Sequence, residues 1–270
     1  MKLIYNRFLH NSRTYTNVFN CMGSIFKVLR PAAMLALLCS TVALTIIVYP
    51  LRYIGINLDY LVMHTWAKFT LWVYQIQVVR LGERSEEPSI IATNHISYWD
   101  ILTISATYKA FFVSKASVKS WPLIGWGAQF VRTVFIVREK AMSAVEVLNR
   151  EAIKLIRQGD SVVMFAEGTT SINPCRPFKT GAFYMAKQTN SPIKPIAVYY
   201  DRMDFVRWID DESFVPHLLK MTDIPRSNCY IYELPLLYPA DFKNANEMKE
   251  KCQELIQEKV DYIKKELVGR

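Results

Sequence analysis

The stretch Asn94-His95-Ile96-Ser97-Tyr98-Trp99-Asp100 sets a histidine five positions ahead of an aspartate, directly after a short apolar run from Ser89 to Thr93. A histidine that removes a proton from a hydroxyl needs a second group to hold its ring and stabilise the imidazolium that forms. A nearby carboxylate supplies both. On one continuous helix five residues turn about 500°, which leaves the two side chains about 140° apart. Pairing therefore requires His95 in a loop and Asp100 in the first helical turn behind it. The same letters also fit a Ser-x-x-Asp capping box, Ser97 with Asp100, opening a helix from Tyr98 to Tyr108. That account needs no catalysis and leaves His95 without a task.

Other groups with chemical potential follow in order. Phe135-Ile136-Val137-Arg138 is a strand candidate ending in a cation. A second apolar run, Ser161 to Ala166, leads into Glu167-Gly168-Thr169-Thr170-Ser171, and Phe178-Lys179-Thr180-Gly181 comes soon after. Ile193-Lys194-Pro195-Ile196-Ala197-Val198 is an apolar block containing proline. Taken together these resemble the glycerolipid acyltransferase family, whose best-known members are 1-acylglycerol-3-phosphate acyltransferases. The family's blocks are Asn-His-x-x-x-x-Asp, Phe-Ile-x-Arg, Glu-Gly-Thr-x-Ser and an apolar block with proline. The resemblance covers Ser89 to Tyr200, less than half of the chain.

The resemblance implies transfer of an acyl chain from acyl-CoA or acyl carrier protein to a lysolipid hydroxyl, without an acyl-enzyme intermediate. His95 is then the general base and Asp100 its orienter. Glu167, Gly168 and Thr169 match the acceptor-binding block, and Lys179 follows it. A carboxylate repels phosphate, so Glu167 is expected to hold the glycerol hydroxyl or a neighbouring base. Lys115 and Arg138 are the phosphate-binding candidates, although each fits a surface charge equally well. Many phosphatidate-forming members carry arginine after Glu-Gly-Thr, where this chain has Thr170. Threonine cannot replace the forked charge of a guanidinium. Arg176 or Lys179 compensates, or the acceptor is not lysophosphatidic acid.

The expected product is phosphatidate, made in phospholipid biosynthesis from 1-acyl-sn-glycerol 3-phosphate. The alternative acceptors are a lyso-ornithine lipid or a lysophospholipid with a larger headgroup. A non-catalytic lipid-binding protein has no need of His95, Asp100 and Glu167 together. A membrane esterase lacks its nucleophile, since there is no Gly-x-Ser-x-Gly. No cofactor and no metal are expected. The cysteines form no close pair or ligand spacing, and Asp210, Asp211 and Glu212 read as a solvated loop. His10, His64 and His217 have no carboxylate at motif spacing and read as structural or solvated.

The elements that must position these residues alternate. Strand candidates are Ser89 to Thr93, Ala110 to Val113, Val134 to Val137, Val162 to Phe165, Pro195 to Tyr200 and Asn228 to Glu233. An amphipathic helix carries Val145, Leu148, Ala152, Leu155 and Ile156 on one face and stops at Gly159. Another, Asn244 to Leu267, has apolar residues at helical spacing from Met248 onward. This order predicts an α/β fold, a mostly parallel sheet with flanking helices. In such sheets ligands bind beyond the carboxyl ends of strands, where His95 and Glu167 both fall. The apolar segment Ser120 to Gly127, broken by proline and glycines, is a candidate wall for an acyl groove, a dip into lipid or a packed surface loop.

Before that domain the chain is apolar and basic. No charge lies between Arg30 and Arg52, and Ala32 to Tyr49 is long enough to cross the hydrocarbon core of a bilayer. It lacks the cleavage site of a signal peptide. Tyr53 to Val79 reads as a second helix lying in or dipping into the membrane, with Trp66, Trp72 and Tyr74 as interfacial anchors. The fold is therefore expected to be preceded by an N-terminal two-helix membrane-associated segment. Residues 1–80 are expected to be the anchor and 81–270 the catalytic domain. Lys2, Arg7, Arg13, Lys27, Arg30 and Arg52 all precede the first acidic residue, Asp59, which puts the N-terminus on the cytoplasmic side. A hairpin or monotopic wedge then keeps the site on the cytoplasmic face of the bacterial inner membrane or its equivalent, within reach of the acyl donor. The net charge of +9 suits anionic headgroups. With no clustered basic and aromatic run, nucleic acid is not an expected partner.

Overall fold

The protein is described by a computed structural model, in which residues 29–30, 32–56, 58–121, 124–137, 147–170, 175–209 and 213–269 are placed. Seven strands build one sheet: β1 (Ile76–Gly82), β2 (Ile90–Thr93), β3 (Ala110–Lys115), β4 (Val134–Ile136), β5 (Ser161–Phe165), β6 (Ile193–Tyr200) and β7 (Ser227–Glu233). Their spatial order is β1-β7-β6-β2-β5-β3-β4. All neighbours are parallel except β6 and β7, so β1 and β7 run against the other five. The α/β class with a mostly parallel sheet is as the sequence predicts.

β2 and β6 are buried along their whole length, which is why they read as unbroken apolar runs rather than alternating ones. Pro195 sits inside β6 without stranding a neighbour. Its carbonyl accepts from Leu234 N–H at 3.1 Å, so its ring nitrogen faces the same side, and β7 begins to pair only at Ile196. Helix α3 (Trp99–Ser105) follows β2 and is shorter than predicted. The amphipathic segment resolves into a π-turn over Leu148–Ala152 and a short helix, Ile153–Arg157, with Leu148, Ala152 and Leu155 buried. Val145 lies outside the described residues. The C-terminal helix Ala245–Tyr262, capped by Asn244, buries Met248, Cys252, Ile256 and Val260 against the sheet.

The N-terminal part departs from expectation in two ways. Among the described residues one helix, α1 (Ala32–Leu51), is long and apolar enough to cross a membrane. The segment predicted as a second helix divides. Residues Asp59–Val73 form α2, Gln75 turns at φ 55°, and Ile76 opens β1 in the sheet. A largely apolar stretch, charged only at Asp59 and Lys68, carries no clear period that separates a helix from a buried strand, and only Ile76, Val78 and Val79 hinted at the change. Arg30, read in the sequence only as one of the basic residues ahead of the apolar helix, has a structural task. Its guanidinium is buried and donates to the carbonyls of Val73, Thr222 and Ile224 at 3.1, 2.9 and 2.7 Å, pinning the start of α1 to the domain.

Candidate active site

β2 ends at Thr93, while its neighbour β6 continues to Tyr200. The side-chain amide of Asn94 fills the gap: Nδ2–H donates to Val198 O at 2.9 Å and Oδ1 accepts from Val198 N–H at 2.8 Å. Both groups of a fully buried residue are thereby satisfied, and the main chain is free to leave the sheet. His95 emerges above β5, its ring stacked on Phe165 with centroids 3.8 Å apart.

Asp100, in the first turn of α3, turns back on this loop. Its Oδ2 accepts from His95 Nδ1 at 2.8 Å, Ile96 N–H at 2.7 Å and Ser97 N–H at 3.0 Å. Its Oδ1 accepts from the Tyr200 hydroxyl at 2.9 Å. A carboxylate oxygen accepts, so the tautomer that fits this bond carries its proton on Nδ1 and leaves the lone pair on Nε2. The carboxylate is fully buried, whereas the histidine side chain retains 14% exposure. Half of the capping box is present too: Asp100 reaches Ser97 N–H, but Ser97 Oγ accepts from Trp99 N–H at 3.4 Å and not from Asp100. The two accounts of these residues are compatible, because one carboxylate does both tasks.

Glu167 follows β5 and is 2% exposed. Its Oε1 accepts from the backbone N–H of His95 at 2.9 Å and of Cys175 at 3.3 Å, and its Oε2 from Arg176 N–H at 3.1 Å. It thus grips the main chain of His95. Gly168 turns at φ 77° under the Lys179 side chain, whose Cγ lies 3.4 Å from where a Cβ on residue 168 would stand. Lys179 itself is exposed.

A cavity of about 400 Å³ opens beside His95. Its walls are mostly apolar, with Phe112 and Val113 of β3, Ile101 and Leu102 of α3, and Met34 and Val42 of α1. Lys115, Thr169 and Thr170 also line it, so Lys115 and the end of the Glu-Gly-Thr turn share this cavity with His95. Trp121 and Gly127 give the proline-and-glycine segment to the wall, while Trp126 is exposed. Arg138 lies outside the described residues, as do Asp210, Asp211 and Glu212. No cluster able to hold a metal is present among the described residues. His217 is structural, bonded to the Tyr98 hydroxyl at 3.1 Å and to Arg207 O at 3.0 Å. His64 likewise joins Ser105 O at 2.9 Å.

Burial, and after it the Asp100 charge, pushes the Tyr200 phenol well above its ordinary range, so it acts as a neutral donor. Cys175 beside Glu167 is pushed up to about 12, by burial first, which leaves it a thiol. No signal near His95 in sequence pointed to Tyr200, Phe165 or the wall from α1.

The sequence model of the Acyltransferase family matches residues 73–199. The matched span holds the His95–Asp100 pair, the Glu167 turn and β6 up to Tyr199. These residues are an acyltransferase domain of the glycerolipid acyltransferase family. A lyso-ornithine lipid O-acyltransferase of Brucella abortus (strain 2308) is 34% identical over 149 residues, 48% of this chain and 55% of that protein. A 1-acyl-sn-glycerol-3-phosphate acyltransferase of Neisseria gonorrhoeae is 35% identical over 128 residues, 47% of this chain and 50% of that protein. The chain therefore spans about half the length of these relatives. The crystal structure of the 1-acyl-sn-glycerophosphate (LPA) acyltransferase PlsC from Thermotoga maritima superposes with a TM-score of 0.59. It covers 87% of this chain and 98% of that one at 18% identity, which is a likeness of fold. The His95–Asp100 pair and Glu167 thus stand at the carboxyl ends of β2 and β5, beside a cavity that takes part of its wall from α1.

Proposed function

We propose that the protein is a membrane-bound lysolipid O-acyltransferase. The observation that carries this is the His95–Asp100 pair, with His95 lining an apolar cavity. His95 Nε2 takes the proton of the acceptor hydroxyl as its oxygen attacks the thioester carbonyl of acyl-CoA or an acyl carrier protein. The new ester forms, the thiol leaves and the proton passes to it. Asp100 holds the imidazolium during the transfer, and the cavity shelters the acyl chain. His95, Asp100, Glu167, Gly168, Thr169, Lys115, Lys179 and Arg138 are the proposed site residues, with Lys115 and Arg138 given to a phosphate headgroup.

The acceptor we favour is 1-acyl-sn-glycerol 3-phosphate, because the Phe-Ile-x-Arg block is kept and Lys115 lies on the cavity wall. A lyso-ornithine lipid is the second reading. It is favoured by Thr170, an uncharged and buried residue on that wall whose hydroxyl has no hydrogen-bond partner among the described residues. The relative from Brucella abortus bears that name.

Residues 1–80 are proposed to anchor the protein on the cytoplasmic face, their last residues from Ile76 already belonging to the sheet. One side of α1 meets the catalytic cavity from Met34 to Thr45, while Leu35, Leu44, Ile46 and Ile47 are exposed on the other. Phe69 and Trp72 of α2 and Trp126 extend the exposed apolar surface. A helix with a folded domain along one side fits a wedge in a single leaflet better than a span ringed by lipid.

The test is purified full-length protein in mixed micelles with labelled acyl-CoA or acyl carrier protein and a panel of lysolipids. Diacyl product is expected from at least one acceptor, and none from His95→Ala. Turnover by His95→Ala equal to the native protein's refutes the proposed mechanism. Activity confined to the lyso-ornithine lipid selects the second reading, and Thr170→Arg then distinguishes a headgroup effect by raising turnover of lysophosphatidic acid.

A further inference from the structure

We infer that Tyr200 is a positioning residue of this site, whose phenol orients the Asp100 carboxylate and so sets the basicity of His95. This rests on His95 acting as the base, as proposed above. Three donors converge on Asp100 Oδ2, and Oδ1 is occupied by the Tyr200 hydroxyl alone among the described residues. The phenol has two other neighbours within reach, Thr103 Oγ1 at 3.4 Å and the neutral Cys229 thiol, and the threonine hydroxyl already donates to Asp100 O at 3.2 Å. The only proton between Tyr200 and the carboxylate therefore points at Oδ1. Both side chains are fully buried, so water does not substitute for either.

The placement has a structural logic. Tyr200 ends β6, two residues after Val198, which the Asn94 amide holds. Residues two apart on a strand point the same way, about 6.6 Å from each other. One strand thus ties both ends of the segment from Asn94 to Asp100, at Val198 and at Tyr200. The apolar block with proline, otherwise only core, becomes the frame on which the base is set.

Other groups around the pair are accounted for. Cys229 of β7 also feels the Asp100 charge, but burial pushes its thiol up and keeps it neutral. Glu167 bonds the His95 backbone rather than the ring, and Lys115 and Tyr98 share the cavity wall. Beside His95 itself, Tyr200 is the side chain that donates to the carboxylate, the other two donors being the backbone N–H groups of Ile96 and Ser97. A hydrogen bond to a carboxylate disperses its charge. Without it, Asp100 binds a protonated His95 more tightly and the histidine pKa rises.

The test is kcat/KM against pH for the native protein, Tyr200→Phe, and protein carrying 3-fluorotyrosine at position 200, whose more acidic phenol is a stronger donor. Tyr200→Phe is expected to move the midpoint of the rising limb up by about half a pH unit or more and to lower kcat about tenfold. The fluorinated residue should move the midpoint down. A midpoint does not depend on how much of the protein is folded, so a loss of stability alone leaves it in place. Coincident midpoints in all three proteins overturn the inference. His95→Ala measured alongside separates the failures: if it is inactive while the midpoints coincide, Tyr200 alone is wrongly assigned, and if it is fully active, the base itself is.

Discussion

Asp100→Asn separates the catalytic account of this residue from the capping account, because it keeps the shape and removes the charge. In the native protein the carboxylate accepts four hydrogen bonds, from His95, Ile96, Ser97 and Tyr200, at 2.7 to 3.0 Å. An asparagine can aim its oxygen at the first three and its amide at the phenol oxygen. Each bond to a charged acceptor is worth about 1.5–3 kcal/mol, and a neutral one about 0.5–1.5 kcal/mol. Summed with allowance for relaxation, the variant should lose about 2–4 kcal/mol of stability, against about 1 kcal/mol for a helix cap alone. The chemical step loses more specifically. A carboxylate about 4 Å from the imidazolium charge contributes about 4 kcal/mol at an effective dielectric of 20. That corresponds to a fall in kcat of about a thousandfold, with little change in the KM of the acyl donor. Thiol release from acyl-CoA, measured at saturating acceptor on protein shown to be folded by its melting curve, reads it. A kcat within about threefold of native, together with a stability loss near 1 kcal/mol, would show that Asp100 only caps a helix.

Glu167→Gln leaves one acceptor oxygen and turns an amide toward a backbone N–H that now has no partner. It should cost about 1–3 kcal/mol in urea unfolding. With His95 loosened, kcat should fall by about 10² while the KM of the acceptor holds; a raised KM at constant kcat would instead place Glu167 on the acceptor. Sodium carbonate washing of membranes should leave the full-length protein in the pellet, and its release without detergent would defeat the wedge formed by α1 and α2. Loss of stability at alkaline pH is expected from the buried thiols Cys175, Cys229 and Cys252, and at Cys229 the pKa is raised in the fold by burial and then by Asp100. The folded form holds the proton that the unfolded chain gives up above about 8.5, so stability is complete below that pH and declines as pH rises, by up to about 1.4 kcal/mol per unit. Cys229→Ala should flatten the fall of melting temperature between pH 8.5 and 10, and an unchanged slope there would exclude the thiol as its source.

Much of the fold around the candidate site was legible because the information is local. Short buried strands each followed by a polar turn predict an α/β sheet, and the spacing of His95 and Asp100 requires a loop-to-helix junction that the structure contains. Backbone constraints over a few residues suffice for that. The turn at Gly168 and the helix from Asn244 were readable for the same reason. The division of residues 53–79 into α2 and β1 was not, since a largely apolar stretch satisfies either geometry until a neighbouring strand, here β7, offers its edge.

Tertiary structure decided what no spacing encodes. Tyr200 meets Asp100, and Asn94 meets Val198, across about a hundred residues of chain, and only the pairing of β6 with β2 sets those distances. Arg30 looked like one more basic residue before an apolar helix, and its burial against three carbonyls follows from where α2 and the loop before β7 come to lie. Glu167 shows the boundary most clearly. Its position after a strand was written in the sequence, but burial and the three N–H groups around it determined that it holds the His95 backbone. Sequence sets which groups stand at the ends of which strands. The long-range order of those strands sets which of the groups touch.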